Sequence, residues 1–177
     1  KSLCPDRLRG GVAIGAALIV WLLPSPFIQV IVLVLGGLIG WRALSLPHLP
    51  AVQHQDCGVS RTTGAVLLTL CGLLLLALPA LAAWSDSDFW SAVASFHQAG
   101  ALVFGGGHVV LPMLQSSVVP AGWVGNDAFL AGYGAAQAVP GPLFSFAAFL
   151  GAVMPSPLGG WVGGLALLVA IFVPSFL

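Results

Sequence analysis

The uninterrupted apolar run over residues 63–84 limits the possible folds of this chain more than any other feature. A helix of about 22 residues, rising about 1.5 Å per residue, reaches about 33 Å, and the hydrocarbon core of a bilayer is about 30 Å thick. Only 6% of the residues are charged, whereas an ordinary soluble domain carries about 25%. The sequence therefore predicts an integral membrane protein without a soluble domain, in which residues 63–84 cross the bilayer once.

The other apolar stretches occur mainly in pairs that proline or glycine interrupts. These pairs are residues 11–23 with 27–41, 89–104 with 108–119, and 128–139 with 143–154. As helices the segments are about 18–24 Å long, too short to span a bilayer unaided. The last run, residues 158–177, is long enough to cross, with a bend expected at Pro174. The predicted fold class is all-α: a polytopic transmembrane helical bundle with two Gly/Pro-broken helix pairs, those interrupted at residues 105–107 and 140–142, which are either re-entrant hairpins or kinked spanning helices.

Positive charge is confined to the first part of the chain, because all five Lys and Arg residues precede residue 62. Cytoplasmic loops are enriched in these residues. The flank with Arg7 and the loop from residue 42 to residue 61 are therefore both expected in the cytoplasm, and the helix from residue 63 leads outside. Residues 116–127 contain no lysine or arginine, so the distribution of positive charge does not predict their side of the membrane. They face outside if the broken pairs are re-entrant and inside if each pair is one kinked helix.

No metal site, cofactor or enzyme active site is predicted. The three cysteines are Cys4, Cys57 and Cys71. They share no metal-ligand or disulfide spacing, and a polar linker accounts for the loop around His48 and His54 without metal ligation. No Ser-His-Asp, histidine-cluster or paired-carboxylate arrangement is present in the sequence. Balanced charge gives no reason to expect a nucleic-acid partner.

Several residues are assigned structural roles. Trp41, Trp84, Trp90 and Trp123 fall near predicted helix ends, as interfacial tryptophans do. Asp127 is expected to cap the helix that follows it. His97 is expected to serve in helix packing or at an interface. The glycine pairs at 159–160 and 163–164 recur at a four-residue step, which allows close approach of membrane helices.

Two breaks within forty residues bring irregular backbone to membrane depth, where it survives only against protein or a water-filled cavity. Secondary transporters use such discontinuous helices and point helix N-termini at a midplane site. Gly105, Gly106 and Gly107 allow positive φ and exposed amides, which is how a backbone anion nest forms. At the second break, Pro140-Gly141-Pro142, Pro142 suits the first position of a new helix. The alternative is a pair of simple kinks.

Three side chains beside the breaks are candidate ligands. His108 adjoins the glycines and is able to donate to an anion or carry a proton, because the unperturbed pKa of histidine lies near neutrality. Gln137 is a polar residue just ahead of the second break. Ser145 follows that break, and its hydroxyl faces either a ligand or the backbone of its own helix.

Two long motifs carry a family resemblance. Residues 102–112 read LVFGGGHVVLP and residues 126–144 read NDAFLAGYGAAQAVPGPLF. In this order and spacing they resemble the chromate ion transporter family, closely over about residues 89–177 and more loosely over residues 11–46. The chain departs from the family pattern at Gln98, where the family often has arginine, and at Gln115, near which it often has an acidic residue.

The resemblance implies a domain organisation. Family members have two homologous halves in opposite membrane orientation, or a single half that works in pairs. Residues 1–46 would then be the closing hairpin of a first half, residues 47–62 a cytoplasmic linker, and residues 63–177 a second half truncated at its C-terminal end. Both ends of the chain look like cuts in a longer protein. The implied partners are the lipid bilayer and either the missing first half or a second copy.

The resemblance also implies a function. The family exports chromate across the bacterial inner membrane with the proton-motive force, and sulfate is a similar tetrahedral dianion. The alternatives are a transporter of sulfate or another oxyanion, and a non-transporting membrane scaffold subunit. The residues expected to bind substrate are Gly105, Gly106, Gly107, His108, Gln137, Pro140, Gly141, Pro142 and Ser145.

Overall fold

The computed structural model describes residues 6–23, 26–43, 60–103, 107–138, 143–155 and 157–177. Within these ranges all regular secondary structure is helical, in agreement with the predicted all-α class. The chain divides into two compact units, Lys1–Cys57 and Gly58–Leu177. The linker predicted at residues 47–62 lies outside the described residues except for its last three.

The first unit contains two helices that pack together, α1 (Arg7–Leu22) and α2 (Pro26–Ala43). Pro26 is the first residue of α2, a position where the missing amide hydrogen of proline costs nothing. Small residues of both helices, including Gly15, Ala16 and Gly36, line the cleft between them. None of the side chains of α1 is buried.

The helix α3 (Arg61–Ser85) corresponds to the predicted spanning run. The Ser60 hydroxyl caps its start by accepting a hydrogen bond from the Thr63 amide at 3.0 Å, and Asp86, the residue after its end, adopts a left-handed conformation. Among the described residues α3 is the one helix both long and apolar enough to cross a membrane. Only 6% of its most apolar window is buried. A core helix of a soluble protein would be covered by its own chain, whereas α3 exposes the apolar surface that lipid would cover.

The remaining helices are α4 (Asp88–Leu102), α5 (Gly107–Val118), α6 (Asn126–Ala138), a 3₁₀ turn (Leu143–Ser145), α7 (Phe146–Val153) and α8 (Gly160–Phe176). The two predicted interruptions therefore fall between helices, as expected. The helix α8 has 17 residues and Pro174 lies inside it. Its length of about 26 Å is at the lower limit for a membrane span.

The core of the second unit forms where α4 and α7 pack against α8. Its fully buried side chains include Phe96, Leu114, Phe129, Phe146, Leu150, Leu167 and Ile171. Glycines bring α7 and α8 into backbone contact, because a Cβ atom at Gly163 would collide with the Leu158 carbonyl oxygen and lie 2.7 Å from that of Gly151. The packing role assigned to Gly163 and Gly164 is supported by this geometry.

Two local predictions are corrected. Trp41 and Trp84 are 84% and 87% exposed near helix ends, but Trp123 is only 9% exposed. The turn after α5 folds back, so that the Trp123 amide donates to the Val118 carbonyl at 3.0 Å and the indole packs in the core. Asp127 is not the cap of α6, because the helix already begins at Asn126 and Asp127 lies in its first turn. A carboxylate there still favours the positive helix end.

Candidate functional site

The first break separates the C-terminal end of α4 from the N-terminal end of α5. Val103 leaves α4 in an extended conformation, with φ −79° and ψ 102°. Gly105 and Gly106 lie outside the described residues, and Gly107 and His108 are the first two residues of α5, with only their backbones described. The amides of this first turn have no partner within the helix. They provide the partial positive charge that favours an anion.

Pro112 makes the start of α5 polar in a second way. It lies inside the helix, and proline has no amide hydrogen for the carbonyl four residues earlier. That carbonyl belongs to His108. The first turn of α5 therefore has amides without helical acceptors and one carbonyl without its helical donor. At membrane depth such groups require protein or water around them.

The second break follows α6. Pro140, Gly141 and Pro142 lie outside the described residues. Helical structure resumes at Leu143 as a 3₁₀ turn, and the α-helix proper begins at Phe146. Pro142 therefore directly precedes a 3₁₀ turn, and α7 itself begins four residues after it.

Ser145 is held at this break by the two aromatic residues beside it. Phe144 meets Phe172 of α8 edge-to-face with ring centroids 5.5 Å apart, and Phe146 meets Phe129 of α6 in the same way at 5.1 Å. Ser145 occupies the position before α7, is exposed, and makes no capping hydrogen bond to that helix. Its hydroxyl therefore does not cap α7, and its role as a ligand stays a prediction.

Tyr133 is a polar residue of the second break that the sequence analysis did not single out. The exposed Gln137 donates a hydrogen bond from Nε2 to the Tyr133 hydroxyl oxygen. The Tyr133 ring in turn meets Phe146 at 6.2 Å. Because the hydroxyl oxygen accepts from Gln137, its hydrogen takes no part in this bond and can be donated to another acceptor. The signal in the sequence was the four-residue spacing between the tyrosine and the glutamine, which places them on one face of a helix.

The structure brings together only some of the predicted ligands. Gln137 contacts Tyr133, and Tyr133 contacts Phe146, the neighbour of Ser145. The helix that begins at Gly107 joins the same core through Val110 and Leu114. A single site that includes both breaks stays a prediction.

The part of the sequence that contains both breaks has no positively charged side chain. No lysine or arginine follows residue 61 in the sequence. The donors on this part of the chain are backbone amides and neutral hydroxyl, amide and imidazole groups. Among the described residues there is no cluster of three or more metal-ligating side chains. The loop with His48 and His54 lies outside the described residues.

Gln98 and Gln115, the two departures from the family pattern, occupy different settings. Gln98 is half-buried on α4. Gln115 donates from Nε2 to the Asn126 side-chain oxygen at 2.8 Å and so joins the end of α5 to the start of α6. An acidic side chain at position 115 would be unable to donate this hydrogen bond.

These features define a helical membrane protein with discontinuous helices and neutral hydrogen-bond donors at the breaks. The family model described as "Chromate transporter" matches residues 90–177, which include both breaks. The chain belongs to the chromate transporter family, which is a family of transporters and not of enzymes.

Curated relatives agree with this assignment. The chain is 33% identical over 129 residues to the chromate transport protein of Pseudomonas aeruginosa, an alignment that covers 67% of this chain and 30% of the relative. It is 32% identical over 113 residues to the probable chromate transport protein of Synechococcus elongatus, covering 63% of this chain and 28% of the relative. It is also 38% identical over 85 residues to the uncharacterized transporter YwrA of Bacillus subtilis, covering 47% of this chain and 46% of the relative.

The chain thus spans about 30% of the length of the first two relatives. No solved structure matches the chain.

Proposed function

We propose that this chain forms part of a secondary transporter that exports chromate across the bacterial inner membrane with the proton-motive force. The observation that carries the proposal is the family match over residues 90–177, which includes both helix breaks. Two relatives are named for chromate transport. The described part of the second break contributes exposed neutral donors, which suit an oxyanion.

Neutral donors stabilise a dianion less than the loss of its hydration destabilises it. A helix N-terminus carries about half a positive charge, worth up to about 2 kcal/mol in a partly buried geometry, so two termini supply about 4 kcal/mol. Transfer of an ion out of water costs tens of kcal/mol in a low-dielectric medium. The proposed site is therefore hydrated, or it receives a cation from a part of the transporter beyond this chain.

The proposed ligands combine backbone and side-chain donors. The amides at Gly105, Gly106 and Gly107, together with His108, face the anion from the first break. Gln137, Ser145 and the amide at Gly141 face it from the second break, where Pro140 and Pro142 constrain the backbone. The hydrogen bond that Tyr133 accepts from Gln137 supports its addition to this set, because the hydroxyl hydrogen is not used in that bond.

The membrane arrangement is part of the proposal. Residues 1–46 are the closing hairpin of a first half, residues 47–62 are a cytoplasmic linker, and residues 63–177 belong to an inverted second half. Both broken pairs are proposed to be re-entrant; for the first pair, the contacts between α4 and α5 support a hairpin. The working unit contains the missing first half or a second copy of the chain.

Sulfate is the competing substrate, because it shares the tetrahedral shape and double charge of chromate. Counterflow in liposomes that contain the complete protein separates the two. Labelled chromate is expected to accumulate against unlabelled chromate more strongly than labelled sulfate accumulates against sulfate. The reverse ranking would make the protein a sulfate transporter.

A scaffold subunit is the remaining alternative. It would account for the close glycine packing of α7 against α8, but it gives no reason for the exposed donors Gln137 and Ser145 beside the second break. Absence of counterflow for both anions in a folded, correctly inserted protein would favour the scaffold.

A further inference from the structure

Pro174 removes the helical hydrogen-bond donor of one carbonyl in α8. In a regular helix the carbonyl of Ala170 would accept a hydrogen bond from the amide of residue 174. Proline has no amide hydrogen, and Pro174 lies inside α8. Ala170 is buried, so its freed carbonyl is largely shielded from water. In a membrane protein such a carbonyl needs another partner.

His97 supplies that partner from the neighbouring helix. Its side chain is 2% exposed on α4, and Nδ1 lies 3.3 Å from the Ala170 carbonyl oxygen. Since a carbonyl only accepts, Nδ1 carries the proton and donates. The other ring nitrogen, Nε2, is buried without a partner in the described part of the chain. The imidazole is therefore neutral in this arrangement and donates one hydrogen bond, from Nδ1.

Gly100 makes this hydrogen bond possible. It lies three residues after His97, on the same face of α4. A Cβ atom at Gly100 would collide with the Ile171 carbonyl oxygen, the neighbour of the Ala170 carbonyl. The backbones of α4 and α8 therefore touch at Gly100, and this close approach brings the histidine ring within reach of α8.

We infer that His97 is a positioning residue: it satisfies the carbonyl that Pro174 leaves free in α8, and it thereby fixes α4 against α8 just before the first helix break. The helix α4 ends at Leu102, five residues after His97. A hydrogen bond at His97 thus restricts movement of the end of α4 from which the glycine segment departs. The effect on substrate rests on the proposed transport function, whereas the pairing of His97 with Pro174 does not.

A double-mutant cycle on the complete protein in detergent tests the pairing. His97→Ala should lower the Tm by about 2–4 °C, because it leaves a buried carbonyl without a donor. In a Pro174→Ala background, residue 174 regains an amide hydrogen for Ala170, so the same His97→Ala change should cost less than half as much. An equal Tm loss in both backgrounds would overturn the inference.

Pro79 provides the matched control, because it also lies inside a helix, α3, and its freed carbonyl, that of Leu75, is not the partner of His97. The effects of His97→Ala and Pro79→Ala on Tm should simply add. Coupling of His97 to Pro79 as strong as its coupling to Pro174 would contradict a specific pairing.

Conservative variants separate positioning from general packing. Asparagine places an amide nitrogen near the position of Nδ1, whereas glutamine places it near that of Nε2. His97→Asn should have a Tm and a half-saturation concentration for chromate close to those of the wild-type protein. Its pH profile of transport should also match that of the wild type. His97→Gln should lower the Tm and raise the half-saturation concentration several-fold.

Equal behaviour of the Asn and Gln variants would refute the positioning role. If the wild-type protein transports neither chromate nor sulfate, the proposed function fails, and the Tm cycle alone still decides whether His97 pairs with the carbonyl freed by Pro174.

Discussion

At the residue scale, the two breaks offer different kinds of donor. The first offers the backbone amides at the start of α5, and the second offers the hydroxyl groups of Ser145 and Tyr133. The aromatic contacts of Phe144 and Phe146 hold Ser145 in place. Rigid support of this kind lowers the entropy that a ligand group loses on binding.

Removal of one hydroxyl should weaken substrate binding without unfolding the protein. A hydrogen bond contributes about 0.5–1.5 kcal/mol, and about 1.4 kcal/mol is a tenfold change in affinity. Ser145→Ala and Tyr133→Phe should therefore each raise the half-saturation concentration for chromate by about 2–10-fold. Concentration dependence of chromate transport in proteoliposomes measures the effect.

Ser116 is the matched control for this prediction. Its hydroxyl donates to the Met113 carbonyl of its own helix at 2.9 Å. Ser116→Ala should leave the half-saturation concentration unchanged. The assignment of Ser145 and Tyr133 is wrong if their variants behave like Ser116→Ala.

At the element scale, the helices were predictable from the sequence because residue type determines where they begin and end. The apolar run of α3 has a length set by the bilayer, and glycine or proline interrupts the other pairs. The 3₁₀ turn before α7 and the burial of Trp123 were not predictable in this way. Both depend on which neighbouring helix a loop folds against, and a pattern of apolar residues contains no such information.

The candidate site was predictable only in part for the same reason. Gly/Pro composition identified the breaks, and polarity selected Gln137 and Ser145 as candidates, whose role as ligands stays a prediction. Tyr133 was missed because an aromatic residue in an apolar helix has an ordinary packing role. The hydrogen bond from Gln137 is what gives it a polar one.

Helix packing at Gly163 leads to a prediction about stability. A Cβ atom there would collide with the Leu158 carbonyl and crowd that of Gly151. Gly163→Ala should therefore destabilise the protein by about 1–3 kcal/mol, because backbone must move to admit the methyl group. The Tm in detergent should fall, while the half-saturation concentration for chromate should change little.

Gly72 in α3 is the control, since no atom lies within 4 Å of a Cβ placed there. Alanine also has the higher helix propensity. Gly72→Ala should leave the Tm unchanged or raise it slightly. A Gly163→Ala protein as stable as Gly72→Ala would contradict the close packing of α7 on α8.

At the scale of the whole molecule, the asymmetric charge distribution sets the expected orientation. Arginines lie at the start of α1, at the end of α2 and at the start of α3, and none follows residue 61. The linker should therefore lie in the cytoplasm. The end of α3, residues 85–88, should then lie on the periplasmic side. If both broken pairs are re-entrant, the turn after α5, residues 119–122, lies on that side as well.

Thiol labelling tests this orientation. Cys57 should react with an impermeant reagent only from the cytoplasmic side. In a protein whose native cysteines have been replaced, Ala121→Cys should react only from the periplasm, because Ala121 is exposed in the turn after α5. Periplasmic labelling of Cys57 would reverse the orientation, and cytoplasmic labelling at position 121 would replace the re-entrant hairpins with kinked spanning helices.

The central claim is that the glycine break forms an oxyanion site, and chromate counterflow by Gly106→Asp in liposomes tests it most directly. An aspartate among the proposed amide donors introduces a negative charge where the dianion would bind. Counterflow by the complete protein should therefore be lost, while membrane insertion stays intact. Gly141→Val should act likewise at the second break, because valine rarely adopts the conformations open to glycine. Normal chromate counterflow by a well-expressed Gly106→Asp protein would contradict the proposed site.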